Sequence, residues 1–345
     1  MNRFYNIPEG AKKEILQEVS SRANLPAYAV EKDWWVVQTL TILFKLEIGK
    51  HLVFKGGTSL SKAWGIIERF SEDIDLAVDR VFYEFEGKLG KERRTKLRKK
   101  ANSYIRETLF PELKKTFEVK GLTGVKIELE VITSSDQDPV IINVNYPNVI
   151  ESPGYIQPRV QIEIGCRSLI EPFEKRTLLS LVDETYPAAK FSQMPISIPS
   201  VVPERTFLEK IFLLHEEFQR PREKIRVDRL SRHLYDVYKL SNTEFADKAL
   251  SNKELYETLV KHRYNFTRLG GVDYNLHQPR TINIIPNQDL LPAWAVDYKT
   301  MQEQMIHGVS PSFEELIDSL KKLNGQINTL PWKMDCKFPP IPNCM

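Results

Sequence analysis

The sequence predicts an α+β chain: a short mixed sheet wrapped by helices over residues 1–200, then a mainly helical domain over 201–345. Three patterns lead there. Segments alternating with period two, in which residues i and i+2 share a face, recur at 73–78, 125–131, 140–144 and 160–164. Beyond them the apolar spacing becomes helical, with Phe207, Ile211, Leu214 and Phe218 on one face. Between the two regimes, residues 193–203 carry Pro195, Ser197, Pro199, Ser200 and Pro203, which read as a loop or linker.

Taken in order, residues 11–23 read as a helix with Ile15 and Val19 on its apolar stripe, extended by Ala11 and Ala23. A second helix is expected over 30–44, with Trp34, Val37 and Leu40 or Thr41 toward a core. Leu52-Val53-Phe54 is apolar and runs into Gly56-Gly57, after which 58–69 reads as a helix and 73–78 as a strand. A basic helix is expected over 91–115, within a run from Lys88 to Lys100 of eight basic residues against one acid, Glu92. Such a run suits either a solvated helix face or contacts to phosphates. Helices follow over 230–240 and 250–264. Ser312 and Glu315 form a capping box, and Gly325 follows the last periodic residues of that helix. The tail, 331–345, carries four prolines and is expected to wrap the surface.

Composition excludes several classes. The chain has 345 residues, 41% hydrophobic and 28% charged, as in ordinary globular proteins. No apolar run reaches the length of a membrane span, and the first residues lack an apolar leader, so a cytoplasmic protein without a membrane partner is expected. The three cysteines, Cys166, Cys336 and Cys344, are odd in number and lack metal-ligand spacing, which argues against a disulfide framework or a zinc site. The net charge of +3, from 49 basic and 46 acidic residues, does not by itself point to nucleic acid.

The chemistry concentrates between residues 54 and 76. On a strand, Asp73 and Asp75 project together while Ile74, Leu76 and Val78 enter the core. Two ionised carboxylates side by side repel unless a cation or proton lies between them, and hard oxygen ligands favour Mg²⁺, Mn²⁺ or Ca²⁺. Asp-x-Asp alone would equally fit two exposed acids on an edge strand. Its neighbour tips the balance: Gly56-Gly57-Thr58-Ser59 opens a helix, and its backbone N–H groups and hydroxyls could hold phosphate oxygens. A phosphate cradle joined to a two-carboxylate metal site suits phosphoryl chemistry on a nucleoside triphosphate. Ser71, two residues before Asp73, shares its strand face and could touch metal or phosphate, or only satisfy local backbone.

Phe54-Lys55-Gly56-Gly57-Thr58-Ser59-Leu60-Ser61-Lys62, followed by Arg69-Phe70-Ser71-Glu72-Asp73-Ile74-Asp75-Leu76, resembles the AbiEii/AbiGii-type toxin family, a MenT-like branch of the DNA polymerase β-like nucleotidyltransferase superfamily. The 15 residues between Gly57 and Asp73 resemble the longer helix of that branch. Glu31-Lys32-Asp33-Trp34-Trp35, Thr206-Phe207-Leu208-Glu209-Lys210, Arg232-His233-Leu234-Tyr235-Asp236-Val237-Tyr238 and Ser310-Pro311-Ser312-Phe313 resemble its other conserved segments.

The resemblance implies a polymerase β-like core followed by a helical domain carrying Lys210 and Asp236. It implies Asp73, Asp75, Lys210 and Asp236 as catalytic residues, Lys210 at the triphosphate, and Asp236 as a general base or as support for the nucleotide and Lys210. Gly56, Gly57, Thr58, Ser59 and Ser71 would bind nucleotide. Asp73 and Asp75 would hold Mg²⁺ or Mn²⁺, with Glu163 preferred as a third carboxylate over Glu128 and Glu130.

The implied reaction moves a nucleoside monophosphate from an NTP to an RNA hydroxyl, with the tRNA 3′ end the best candidate. The implied setting is a toxin–antitoxin or abortive-infection (phage defence) system with a cognate antitoxin. Two other functions compete. Paired acids plus a lysine also suit a metal-dependent nuclease, although a nuclease needs no triphosphate cradle. A nucleotide-binding interaction module without turnover is the third reading.

Overall fold

The computed structural model describes residues 4–71, 73–152 and 157–341; Glu72 and Cys344 lie outside them. The chain divides into two compact units, Met1–Trp64 with Phe70–Val201, and Gly65–Arg69 with Val202–Met345.

The first unit opens with α1 (Glu9–Ala23) and α2 (Ala27–Leu43), started by Pro8 and Pro26. The buried stripe of α1 is Leu16 and Val19, one position away from the expected Ile15. α2 is buried on nearly all sides, Glu31, Lys32 and Asp33 included. Then come β1 (Leu52–Lys55), α3 (Gly56–Lys62), β2 (Asp73–Val78), α4 (Lys91–Tyr104), a π-helical turn (Ile105–Leu109), α5 (Phe110–Val119), β3 (Lys126–Leu129), β4 (Val140–Asn145), β5 (Arg159–Gly165), β6 (Phe173–Leu178), α6 (Leu181–Thr185) and β7 (Ile196–Val201).

The seven strands form one mixed sheet in the order β3-β4-β5-β2-β1-β7-β6. β2 is therefore an interior strand, antiparallel to β1 and parallel to β5. Its burial alternates, with Ile74 and Leu76 fully buried and Asp73 and Asp75 partly exposed.

Two expectations are corrected here. The helix after Gly56 ends at Lys62 rather than Arg69. Gly65 takes a positive φ of +63°, a helix-stopping conformation, and Gly65–Arg69 joins the second unit, where Arg69 bridges to Ile306 and the Glu68 carbonyl accepts from His307 N at 3.0 Å. The Pro- and Ser-rich stretch is not a linker, because residues 196–201 form β7. Its Ile198 and Val201 are buried, and its pairing with β6 tolerates Pro199.

The second unit is helical: α7 (Pro203–Phe218), α8 (Ser231–Ser241), α9 (Glu244–Ser251), α10 (Lys253–Phe266), α11 (Leu291–Gln304) and α12 (Phe313–Asn328). Pro203 stands at the first turn of α7, where its missing N–H costs nothing. The expected single helix over 250–264 is split, because the Asn252 side chain caps α10 by accepting from Leu255 N at 2.9 Å. The capping box of Ser312 and Glu315 is present, but Gly325 lies inside α12 rather than after it. Among the described residues no helix is long and apolar enough to cross a membrane.

Candidate active site

In the first unit the site is built where β1 ends and β2 begins. The antiparallel register sets Lys55 opposite Asp75, and Lys55 Nζ lies 3.6 Å from Asp75 Oδ1. The next residue, Gly56, takes a φ of +78°. A Cβ there would fall 2.0 Å from Asp75 Oδ2, so both the backbone conformation and the packing demand glycine.

Thr58 is buried, and its hydroxyl donates to the Asp73 carbonyl oxygen while lying 2.9 Å from Ser71 Oγ. The Thr58 hydroxyl is thus engaged in fixing the start of β2. Ser59 Oγ is buried and makes no hydrogen bond among the described residues. At the other end of α3, Lys62 pairs with Asp33 of α2 at 2.8 Å, and Asp33 also accepts from Leu181 N at 2.7 Å. Sequence reasoning missed this anchor and the part of Lys55. The clue to the first was three charged residues inside an otherwise apolar helix.

The parallel register sets Asp75 beside Glu163 and Asp73 beside Gln161. Gln161 Nε2 donates to Glu163 Oε1 at 3.3 Å. Burial pushes the Glu163 carboxyl up, and the charges of Asp75 and Asp73 push it further. Glu128 and Glu130 belong to the β3 edge, three strands from β2, or roughly 14 Å at the usual strand spacing. Their carboxylates accept from Asn145 and Asn143 of β4 at 2.9 and 3.2 Å.

Among the described residues no three acidic, imidazole or thiol side chains already enclose a point where a metal could sit. The donor set nonetheless fits a hard divalent cation: two carboxylates on one strand face, a third on the neighbouring strand, and mutual repulsion that a cation would relieve.

The second unit holds the other two expected residues. Asp236 is fully buried on α8. Arg69 Nε and Nη2 donate to its two oxygens, each at 2.7 Å, and Lys210 Nζ of α7 lies 2.7 Å from Oδ2. Burial alone would raise the Asp236 carboxyl, but Arg69 and Lys210 outweigh it and hold it well below the usual carboxylate range. A carboxylate so saturated by donors is a poor proton acceptor.

Lys210 is itself pushed down by burial, an effect that Asp236 opposes. His233 Nδ1 lies 3.3 Å from Lys210 Nζ. Arg69 and His233 carried no expected role in the sequence. Arg263 of α10 is committed to a buried ion pair with Glu216, its Nε 2.6 Å from Oε1, and His262 stacks on Phe266.

With this geometry in hand, comparison with known proteins decides the class. Residues 40–319 match the family model described as the nucleotidyl transferase AbiEii toxin of type IV toxin–antitoxin systems. The chain belongs to the AbiEii nucleotidyltransferase toxin family. It is therefore a nucleotidyltransferase, and its family is the toxin half of a toxin–antitoxin pair.

No curated relative matches the sequence. Among solved structures the chain is similar to MenT4, a nucleotidyltransferase toxin from Mycobacterium tuberculosis H37Rv, at 15% identity and a TM-score of 0.48, covering 94% of this chain and 98% of that one. It is also similar to JHP933 from Helicobacter pylori, at 14% identity and a TM-score of 0.43, covering 87% of this chain and 91% of the other.

Proposed function

We propose that the AbiEii chain moves a nucleoside monophosphate from an NTP to the 3′-terminal hydroxyl of tRNA. The observation that carries this reading is the acid pair Asp73 and Asp75 on an interior strand, pressed against a turn that only glycine can make. Asp73 and Asp75 hold Mg²⁺, or Mn²⁺ in its place, with Glu163 as the third carboxylate. The metal, when bound, supplies charge neutralisation as pyrophosphate departs.

The chain's own residues do the rest. The backbone of Gly56 and Gly57 and the buried Ser59 hydroxyl bind phosphate oxygens. Thr58 and Ser71 fix the start of β2 and so aim Asp73. Lys210 contributes its ammonium to the triphosphate, and Asp236 acts as its counter-ion rather than as the base.

The acceptor meets the basic helix. Lys91, Arg93, Lys96 and Lys99 of α4 are exposed. α4 is fastened past the Val78 end of β2, where Tyr104 packs on Phe82 at 4.9 Å and Asn102 Nδ2 donates to the Gln137 carbonyl at 3.1 Å. The acids occupy the other end of that strand. The helix therefore grips the phosphates of the RNA body, not the reacting end. A cognate antitoxin restrains the activity.

The test incubates the protein with Mg²⁺, total tRNA and each α-labelled NTP in turn, beside Asp75→Ala. Label on tRNA that the variant loses supports the proposal. Label on protein would replace the acceptor, shortening of RNA without NTP would favour a nuclease, and NTP binding without any product would favour a silent nucleotide-binding module.

A further inference from the structure

Lys210 is not alone on its unit. Asp236 is one carboxylate paired with two cations, Arg69 and Lys210, and the charge of a third, Arg232 of α8, reaches Lys210 and His233. Arg69 and Lys210 occupy the Asp236 oxygens, so positive charge is left over. Arg232 Nε is buried and makes no hydrogen bond among the described residues. A surplus of cationic charge with an unpaired buried N–H asks for an anion.

His233 sharpens the point. An ammonium can only donate, so the Nδ1 that lies 3.3 Å from Lys210 Nζ is the acceptor nitrogen, and the ring proton resides on Nε2. The surroundings keep the ring in that form: burial first, then Lys210, Arg232 and Arg69, hold His233 well below its ordinary range against the pull of Asp236. The residue as a whole is not fully buried. It is thus a neutral side chain with one nitrogen spent on orienting Lys210 and one N–H left to give.

We infer that His233 and Arg232 complete, with Lys210, a polyphosphate-binding group on the second unit, in which His233 accepts from Lys210 through Nδ1 and donates to a phosphate oxygen through Nε2–H. This rests on the reading of the substrate as an NTP, and it adds two residues to Lys210, which that reading makes the sole phosphate contact of the second unit.

Two substitutions separate the two nitrogens. Asn places an amide oxygen near the Nδ1 position and offers nothing at Nε2, whereas Gln places its amide near Nε2 and vacates Nδ1. The measurement is calorimetric titration of inorganic tripolyphosphate into the full-length protein. Binding by the wild type is expected to weaken about tenfold or more in His233→Asn, the loss of one hydrogen bond to a charged group. In His233→Gln it should stay within about threefold, and in Lys210→Met it should be lost. The KM for NTP should follow the same order, with kcat changing less.

If His233→Asn is poorly folded by circular dichroism, Arg232→Gln decides in its place, with a weakening of about threefold to tenfold expected. Unchanged tripolyphosphate affinity in His233→Asn, or equal loss in the Asn and Gln variants, would overturn the inference. A wild type that binds tripolyphosphate with the stated pattern but transfers no label to RNA would sink the proposed reaction and leave this site standing.

Discussion

Replacing Gly56 by alanine perturbs the site at one atom. The new methyl carbon would stand 2.0 Å from Asp75 Oδ2, where no real contact can exist, and φ of +78° is strained for any L side chain. The left-handed conformation costs roughly 1–2 kcal/mol. Moving the Asp75 carboxylate off its rotamer costs about 0.5–1.5 kcal/mol. Loss of the Lys55–Asp75 pair, about one-quarter exposed on each side, adds at most about 1 kcal/mol. The sum is roughly 2–4 kcal/mol, or a fall of about 4–16 °C in Tm for a unit of this size.

The effect on activity should be far larger. A displacement of about 1 Å in a group that positions reacting atoms can cost ~100-fold in rate. The assay is the initial rate of label transfer at a temperature where circular dichroism shows Gly56→Ala folded. A folded variant within about twofold of the wild-type rate would refute the placement of Asp75 at the reacting centre.

Other consequences are as concrete. Gly325→Ala, inside α12 with open space around the new carbon, should stabilise the protein by about 0.5–1 kcal/mol, read as a higher urea midpoint with unchanged transfer. Asp236→Ala strands the buried Arg69 and Lys210 without a counter-ion and should cost roughly 3–5 kcal/mol, whereas a wild-type urea midpoint would show that Asp236 is not structural.

Acid should loosen the second unit. Burial, aided by His277, pushes His215 down to about 3, and Glu216, raised by burial but lowered more by Arg263 and His277, sits at about 2. Between each folded value and its ordinary value of 6.5 or 4.5, the unfolded chain binds the proton and the folded chain does not. Stability should therefore fall as pH drops below 6.5, and more steeply below 4.5, and equal urea midpoints at pH 7 and pH 4 would contradict this. Neutralising Lys91, Lys96 and Lys99 together should raise the KM for tRNA several-fold and flatten its salt dependence while leaving the KM for NTP unchanged.

Much of this was legible in the sequence for local reasons. Alternation at 73–78 gave the strand and the shared face of its acids, because side-chain direction on a strand depends only on parity. The helices of the second unit followed from apolar spacing, and the α12 cap from Ser312 and Glu315. What failed depended on partners distant in sequence. β7 is a strand because β1 and β6 supply its hydrogen bonds, and no local propensity announces that in a stretch with three prolines. The α3 helix stops at Lys62, and beyond it Glu68 and Arg69 are bonded to residues 307 and 306 instead of continuing the helix. Asp236 could be marked by its segment, but its commitment to Arg69, 167 residues away, needed the fold. Strand order, which alternation alone leaves open, sets Glu163 beside Asp75 and puts Glu128 and Glu130 at the far edge of the sheet.

The most direct test of the central claim uses one accepted NTP labelled in parallel at the α- and γ-phosphate, with tRNA and Mg²⁺, for the wild type and Asp75→Ala. The account predicts that α-label alone enters RNA and that the variant transfers neither. Entry of γ-label into the acceptor, or α-label transfer that survives Asp75→Ala, would contradict it.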